Sequence, residues 1–145
     1  SKIKLGLEKK LVLGNINAKR DWGHAQDFVE AQWLILQQKK PDDYVIATGE
    51  QHSVKEFINI AAKYLDMRIY WKGSGIKEKG FNENGKVIIE CSKKYFRPAE
   101  VETLLGNPKK ARKLLKWKPK ITFKKLVSEM VESDFSKLEK LLRFN

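Results

Sequence analysis

The apolar and polar positions follow two periodicities along the chain, one typical of strands and one typical of helices. Short apolar runs and one alternating stretch predict four strands, at residues 11–13, 44–47, 67–71 and 87–89. Apolar residues at helical spacing predict four helices, beginning near residues 22, 53, 108 and 122. Residues 1–10 resemble the end of a helix, and residues 72–86, rich in Gly, Asn and charge, predict an exposed loop. Strands and helices in this order predict a mixed α/β fold.

Local signals indicate where the helices begin and which side they bury. Ser53 and Glu56 have the spacing of a capping box, in which each side chain accepts a hydrogen bond from the other residue's backbone N–H. Asn107 before Pro108, and Thr122 before an apolar stripe, are further start signals. In the first helix, the residues predicted to share the buried face are Ala25, Phe28, Val29, Gln32, Ile35 and Leu36.

Length and charge narrow the possible partners. The 145 residues are enough for one domain with a core, and the net charge of +12 predicts an anionic partner. The basic stretch at 106–128 lacks the interleaved aromatic residues of a base-stacking platform, which argues against nucleic acid. No run approaches the roughly 18 apolar residues of a membrane span. A single cysteine, Cys91, and the lack of an apolar leader at residue 1 predict a cytoplasmic location.

The motifs for phosphate and hydride chemistry are incomplete or missing. Residues 80–87 nearly match a phosphate-binding loop, but Val87 replaces the hydroxyl residue and a predicted strand follows instead of a helix. Neither a Gly-x-Gly-x-x-Gly fingerprint nor a Tyr-x-x-x-Lys pair occurs. His24 and His52 stand at predicted helix starts, where we favour capping or a surface position over catalysis. We therefore predict no catalytic residue and no metal site in this chain.

Two arginines remain as candidate ligands of an anion. Arg20 precedes the first predicted helix, so its guanidinium can bind a phosphate near the helix N-terminus, or it can pair with Asp21 or a neighbouring carbonyl. Arg97 precedes Pro98, and Glu100 follows three residues later. Glu100 can accept two N–H bonds from a guanine edge, or it can hold Arg97 in place. The residue types alone leave both pairs of alternatives open.

Several short motifs indicate a protein family, which the spacing of residue types does not. In chain order they are Leu13-Gly14-Asn15, Arg20-Asp21-Trp22-Gly23-His24-Ala25, Arg97-Pro98-Ala99-Glu100-Val101 and Trp117-Lys118-Pro119. Together they resemble the GDP-mannose 4,6-dehydratases, a family of extended short-chain dehydrogenases/reductases, over about residues 1–134. The resemblance implies a mixed α/β fold that is the C-terminal, substrate-binding part of such an enzyme and lacks most of the Rossmann domain. Residues 1–145 would form a single nucleotide-sugar-binding region, and residues 21–48 would pack on the absent Rossmann domain.

The resemblance also implies roles for individual residues. Arg20 and Arg97 would bind the diphosphate region of GDP-mannose, Glu100 would lie beside the nucleotide, and Gly14 and Asn15 would line the pocket. Members of the family use NADP to convert GDP-mannose to GDP-4-keto-6-deoxymannose. Their cofactor fingerprint and their catalytic Thr, Glu, Tyr and Lys precede the matched part. We therefore expect this chain alone to be an inactive fragment of a lyase that binds no NADP.

Other functions and partners follow from the same residues. The chain can instead be the substrate domain of another nucleotide-sugar dehydratase or epimerase, or a free-standing basic module that binds nucleotide or nucleic acid. If the family assignment holds, the expected partners are GDP-mannose, the missing Rossmann portion and further copies of the chain in a homo-oligomer. We expect no membrane partner. An apolar surface left uncovered by the absent Rossmann domain would favour self-association.

Overall fold

The computed structural model of the chain describes residues 1–97 and 101–143. Within these residues the strands are β1 Leu11–Leu13, β2 Lys19–Arg20, β3 His52–Ser53, β4 Tyr70–Lys72, β5 Lys79–Phe81 and β6 Val87–Cys91. The helices are α1 Ala25–Leu36, α2 Val54–Tyr64, α3 Lys109–Leu114 and α4 Phe123–Arg143, with one 3₁₀ turn at Gly75–Lys77. The chain divides into two compact units, the first made of Ser1–Ala18, Ser53–Glu102 and Val127–Asn145, and the second of Lys19–His52 and Thr103–Leu126.

The first unit contains a four-stranded sheet in the order β1-β6-β5-β4. β1 runs parallel to β6, with Leu11 opposite Ile89, whereas β5 runs antiparallel to both of its neighbours. The buried core of this unit comprises Ile16, Ile58, Ile88, Ile89 and Cys91. The capping box that begins α2 is confirmed, because the Ser53 and Glu56 side chains accept hydrogen bonds from each other's backbone N–H. The capped helix turns its apolar side inward and buries Ile58 and Ala62.

The predicted exposed loop at 72–86 is only partly confirmed: most of its residues are exposed, but not all of it is loop. This stretch contains the 3₁₀ turn and strand β5, and the Glu78 between them is 5% exposed. β5 can pair closely because Gly80 has no side chain: a Cβ there would lie 3.1 Å from the Ile89 side chain. The stretch at 80–87 that nearly matches a phosphate-binding loop forms a hairpin turn, in which the Asn82 N–H donates to the Lys86 carbonyl and Gly85 has a φ of +72°.

The second unit is organised around a buried aspartate on α1. Asp27 is 2% exposed, and its carboxylate accepts hydrogen bonds from the backbone N–H groups of Lys120, at 3.1 Å, and Ile121, at 3.0 Å. Trp117, also buried, donates its indole N–H to the Asp27 carbonyl at 2.9 Å. These bonds satisfy the buried polar groups and join α1 to the segment that precedes α4.

The predicted buried face of α1 is only partly confirmed, because Phe28 and Ile35 pack against the core of this unit but other predicted residues do not. Val29 and Leu36 are 61% and 80% exposed, and Trp33 on the same side is 60% exposed. Asp27 and Ala31 face inward instead, because the Asp27 carboxylate binds backbone donors of the core. Since α1 carries apolar residues on more than one side, helical spacing could not identify the side that packs inward.

Several predicted boundaries also change. Residues 44–47, predicted as a strand, belong to no strand, because their backbone pairs with none of the described strands. Residues 1–10 form turns ending near Gly6, whose φ is +74°, and not a helix. Helix α1 begins at Ala25, after the predicted start. The alternating stretch at 67–71 yields only β4. No helix in the described part of the chain has the length and apolarity needed to cross a membrane.

Candidate functional site

Two loops leave the same edge of the sheet in the first unit. Leu13, the last residue of β1, is the parallel partner of Cys91, the last residue of β6. Gly14 and Asn15 follow β1, and the loop that carries Arg97 follows β6. Parallel strands present the loops at their carboxyl ends to one side, and this is where α/β proteins bind ligands. The structure therefore brings the predicted residues Gly14 and Asn15 to the same edge as the loop that carries Arg97.

Gly14 lies directly against the loop that follows β6. A Cβ at this position would lie 2.2 Å from the Tyr95 carbonyl oxygen and 2.8 Å from its carbonyl carbon. The Ser92 N–H donates to the Leu13 carbonyl at 2.8 Å and continues the pairing of the two strands by one residue. Only glycine permits this approach of two backbones. Arg97, two residues after Tyr95, is exposed.

The turn after β1 is held at three consecutive residues. The Asn15 side-chain oxygen accepts a hydrogen bond from the Asn17 N–H at 2.9 Å. Ile16 is 1% exposed, and its carbonyl accepts from the Lys55 N–H at 2.8 Å. The Asn17 side-chain amide donates to Glu78 at 2.8 Å. A turn bound to the core, to α2 and to a buried carboxylate is rigid, which suits a ligand-binding position.

Glu78 is a buried carboxylate beside this turn. One of its oxygens accepts from the Asn17 amide, and the other accepts from the Lys55 ammonium. Burial opposes ionisation of Glu78, but the hydrogen bonds from Lys55 and Asn17, together with the Lys55 charge, outweigh it and hold the pKa of this carboxyl below its usual value. Glu78 is therefore ionised at neutral pH, as the partner of a cation.

Arg20 lies in the second unit, in the two-residue strand β2. Its Nη1 donates to the Lys19 carbonyl at 2.7 Å, a neighbouring-carbonyl contact that the sequence left open as one alternative. Asp21 accepts hydrogen bonds from the Thr48 N–H at 2.8 Å and the Gly49 N–H at 2.9 Å. The N-terminus of α1 is capped by His24, whose Nδ1 accepts from the Gln26 N–H. Capping by His24 is thus confirmed, and the ligand role of Arg20 stays a prediction.

The second unit also contains a pocket that the sequence analysis did not identify. It encloses about 360 Å³ and is lined by Trp22, Thr48, His52, Arg112, Lys118 and Phe123, among others. The His52 imidazole stacks on Phe123 with ring centroids 3.9 Å apart, and the Trp22 indole N–H donates to the His52 carbonyl at 3.0 Å. Arg112 donates to the Thr48 carbonyl at 2.7 Å. Because the lining comes from separate stretches, no local motif could have revealed it.

Glu100 lies outside the described residues, so its predicted place beside the nucleotide stays a prediction. Cys91 is a buried thiol, and desolvation by burial, reinforced by the charge of Glu78, raises its pKa. Within the described ranges, no group of three or more His, Cys, Asp or Glu residues is placed to hold a metal ion.

Comparison with known proteins identifies the family. A family model described as GDP-mannose 4,6 dehydratase matches residues 1–130. The chain belongs to this family. It is 54% identical over 144 residues to the GDP-mannose 4,6 dehydratase of Dictyostelium discoideum, covering 99% of this chain and 40% of that protein. It is 49% identical over 135 residues to the human GDP-mannose 4,6 dehydratase, covering 92% of this chain and 36% of that protein. The chain thus spans about two fifths of the length of these dehydratases.

Solved structures share the fold of this chain. RMD from Pseudomonas aeruginosa, complexed with NADPH, superposes with a TM-score of 0.69 at 21% identity, over 90% of this chain and 38% of that chain. A dTDP-glucose 4,6-dehydratase from Bacillus anthracis, in complex with NAD, gives a TM-score of 0.66 at 22% identity, over 90% of this chain and 35% of that chain. These likenesses show the fold alone. The predicted class, a mixed α/β part of an extended short-chain dehydrogenase/reductase, is confirmed.

Proposed function

We propose that this chain is the nucleotide-sugar-binding part of a GDP-mannose 4,6-dehydratase. The observation that carries the proposal is the pair of loops at the carboxyl ends of β1 and β6, in a chain that belongs to this family. That edge is the usual ligand position in α/β folds. Gly14 and Asn15 on one loop, and the exposed Arg97 on the other, would contact the nucleotide sugar.

The diphosphate of the ligand requires cations with directed donors. Arginine suits this role because its planar guanidinium can donate two parallel hydrogen bonds to phosphate oxygens. We assign Arg20 and Arg97 to the diphosphate, and Glu100 to a position beside the nucleotide. The net charge of +12 adds a long-range attraction for the anionic ligand.

In the proposed full-length enzyme, NADP would supply the hydride chemistry that converts GDP-mannose to GDP-4-keto-6-deoxymannose. The Tyr-x-x-x-Lys pair and the glycine fingerprint that such chemistry uses do not occur in these 145 residues. We therefore propose that this chain alone is inactive as a lyase and binds no NADP. Its own residues would bind the nucleotide and orient the sugar, in a cytoplasmic enzyme.

The exposed side of α1 supports a proposed partner. Val29, Trp33 and Leu36 recur at spacings of four and three, so they form one apolar stripe, and all three are exposed. A stripe of this kind is typical of a surface that another element covers. We propose that the Rossmann portion of the longer enzyme packs on this stripe, within residues 21–48. A chain that exposes this stripe would self-associate, and light scattering and dye binding can measure the association. We also propose that copies of the chain form a homo-oligomer.

Calorimetry with competing nucleotides tests the proposed ligand. The chain should bind GDP-mannose and GDP, and should bind UDP-glucose and dTDP-glucose more weakly. The double variant Arg20→Ala/Arg97→Ala should bind GDP at least about tenfold more weakly, because hydrogen bonds from charged groups contribute about 1.5–3 kcal/mol each. Arg68→Ala is the matched control, since Arg68 is exposed and pairs only loosely with Glu83, at 3.7 Å.

The same measurements can overturn the proposal. Equal GDP affinity of the double variant and the parent would show that Arg20 and Arg97 are not the ligands. A preference for UDP-glucose or dTDP-glucose would assign the chain to another nucleotide-sugar enzyme. Retention on DNA with a steep salt dependence, without GDP-mannose binding, would support a basic nucleic-acid module instead. Turnover of GDP-mannose by the purified chain would refute the proposed inactivity.

A further inference from the structure

The buried carboxylate of Glu78 is costly and must be compensated. Its side chain is 6% exposed, so water contributes little to its solvation. A buried charge lowers stability unless a partner charge and hydrogen bonds replace the lost water. Lys55 supplies the partner charge, and Asn17 donates to the second oxygen at 2.8 Å. The carboxylate therefore joins two segments that lie far apart in sequence, the start of α2 and the turn after β1.

The position of Lys55 is unfavourable for a lysine by itself. Lys55 is the second residue of α2, where the positive end of the helix dipole disfavours a cation. Its ammonium lies 4.8 Å from the centre of the Trp71 ring and binds Glu78. Replacing a buried ion pair by an apolar pair of similar volume is often neutral or stabilising in proteins. Stability of the core alone therefore does not account for a Lys55–Glu78 pair.

The pair contacts the turn after β1 at two points. The backbone N–H of Lys55 donates to the Ile16 carbonyl at 2.8 Å, and Glu78 accepts from the Asn17 side chain. The Asn17 N–H in turn donates to the Asn15 side-chain oxygen at 2.9 Å. Moving Asn17 therefore moves the Asn15 side chain, which the proposed function places in the nucleotide-sugar pocket.

We propose that Glu78, held by Lys55, is a positioning residue for the nucleotide-sugar site, because it fixes the turn that presents Gly14 and Asn15 to the ligand. The proposal rests on the function proposed above. Glu78 does not touch the ligand itself. It acts through Asn17, whose NH₂ group faces Glu78 because an ionised carboxylate can only accept hydrogen bonds. The affinity of the folded chain for GDP-mannose therefore depends on the contact between Asn17 and Glu78.

Exchanging the two polar groups tests this contact. Asn17→Asp places a second carboxylate against Glu78 and should weaken GDP-mannose binding about tenfold. The double variant Asn17→Asp/Glu78→Gln restores both bonds, since the new amide at position 78 can accept from Lys55 through its oxygen and donate through its NH₂ to the new carboxylate at position 17. It should bind within about threefold of the parent. Asn84→Asp makes the same chemical change on the exposed β5–β6 turn and should have no effect.

Two further measurements separate positioning from stability. Affinities are measured by calorimetry at a temperature where circular dichroism shows every variant fully folded, so that a purely structural role would leave them unchanged. Hydrogen exchange of the amides at 14–17 should accelerate in Asn17→Asp and recover in the double variant. If Asn17→Asp fails to fold, Asn17→Ala removes the donor without adding charge, and it should still weaken binding by about threefold or more.

The outcomes distinguish this inference from the function on which it rests. A parent chain that binds no GDP-mannose refutes the proposed function and, with it, the role of Glu78. A parent that binds, together with folded Asn17 variants of equal affinity, refutes the positioning role alone. Weak binding by Asn17→Asp that the double variant does not recover shows that Asn17 matters by a route other than Glu78, and also overturns the proposal.

Discussion

Replacing Gly14 by alanine tests the closest backbone approach at the proposed site. The new Cβ would lie 2.2 Å from the Tyr95 carbonyl oxygen. An ordinary contact needs about 3.5 Å, so the loop that carries Arg97 must move by roughly 1 Å. The obstructing carbonyl oxygen and carbon of Tyr95 both belong to the backbone, so no side-chain rotamer change can relieve the overlap. We expect a loss of about 2–3 kcal/mol of unfolding free energy, in the upper range for overpacking.

Urea unfolding followed by circular dichroism measures this loss, and calorimetry with GDP-mannose measures its effect on the site. We expect weaker binding by Gly14→Ala, because the two loops separate. Gly85→Ala is the matched control: its Cβ meets nothing within 4 Å, but its φ of +72° is strained for alanine. It should cost about 1 kcal/mol and leave binding unchanged. A Gly14→Ala variant within about 0.5 kcal/mol of the parent and with equal affinity would refute the packing argument.

Three other changes probe the two units. Asp21→Asn removes the negative charge of the carboxylate that accepts hydrogen bonds from Thr48 and Gly49. It should lower the free energy of unfolding in urea by about 2–3 kcal/mol. The lowered pKa of Glu78 adds stability that is complete above the unfolded-state pKa, about 4.3, and is lost as pH falls through the folded pKa, so Glu78→Gln should flatten the acid side of the stability profile. Cys91, buried and with a raised pKa, should react with a thiol reagent only as the first unit opens.

Each of these changes has a control or a contradicting result. Asp43→Asn removes an exposed carboxylate and should leave stability within about 0.5 kcal/mol. A Glu78→Gln variant whose stability falls with acid as steeply as that of the parent would show that the Lys55 pair contributes nothing. Rapid labelling of Cys91 in the native chain would contradict its burial.

Sequence predicted the structure well where the controlling interactions are local. The capping box of Ser53 and Glu56 needs only a spacing of three residues, and the apolar side of α2 follows from one helical period. Strand β5 was missed because its residues, Lys79–Phe81, have no strand pattern of their own. They become a strand through their pairing with β6, which Gly80 permits and which no local window contains.

The candidate site also has parts that the sequence predicts and parts that only the fold shows. The residue types leave Arg97 open as an anion ligand, but its place in a nucleotide-sugar site, like that of Gly14 and Asn15, follows only from the family resemblance, because the polar turn and the lone arginine have ordinary structural explanations. The parallel pairing that places their loops at one edge is visible only in the fold. The role of Glu78 could not be predicted, because a glutamate in a charged stretch gives no sign of burial until the tertiary contacts exist.

The pairing of β1 with β6 also has a kinetic consequence. Lys10, beside β1, binds Glu90 of β6 across 80 residues of sequence. Closing a loop of that length costs about 4 kcal/mol of chain entropy, and such non-local pairing slows folding. The antiparallel strands β4, β5 and β6 can form first from neighbouring residues. We therefore expect the edge that carries Gly14 and Arg97 to be completed late, and a transient release of β1 to open it while the other three strands stay paired.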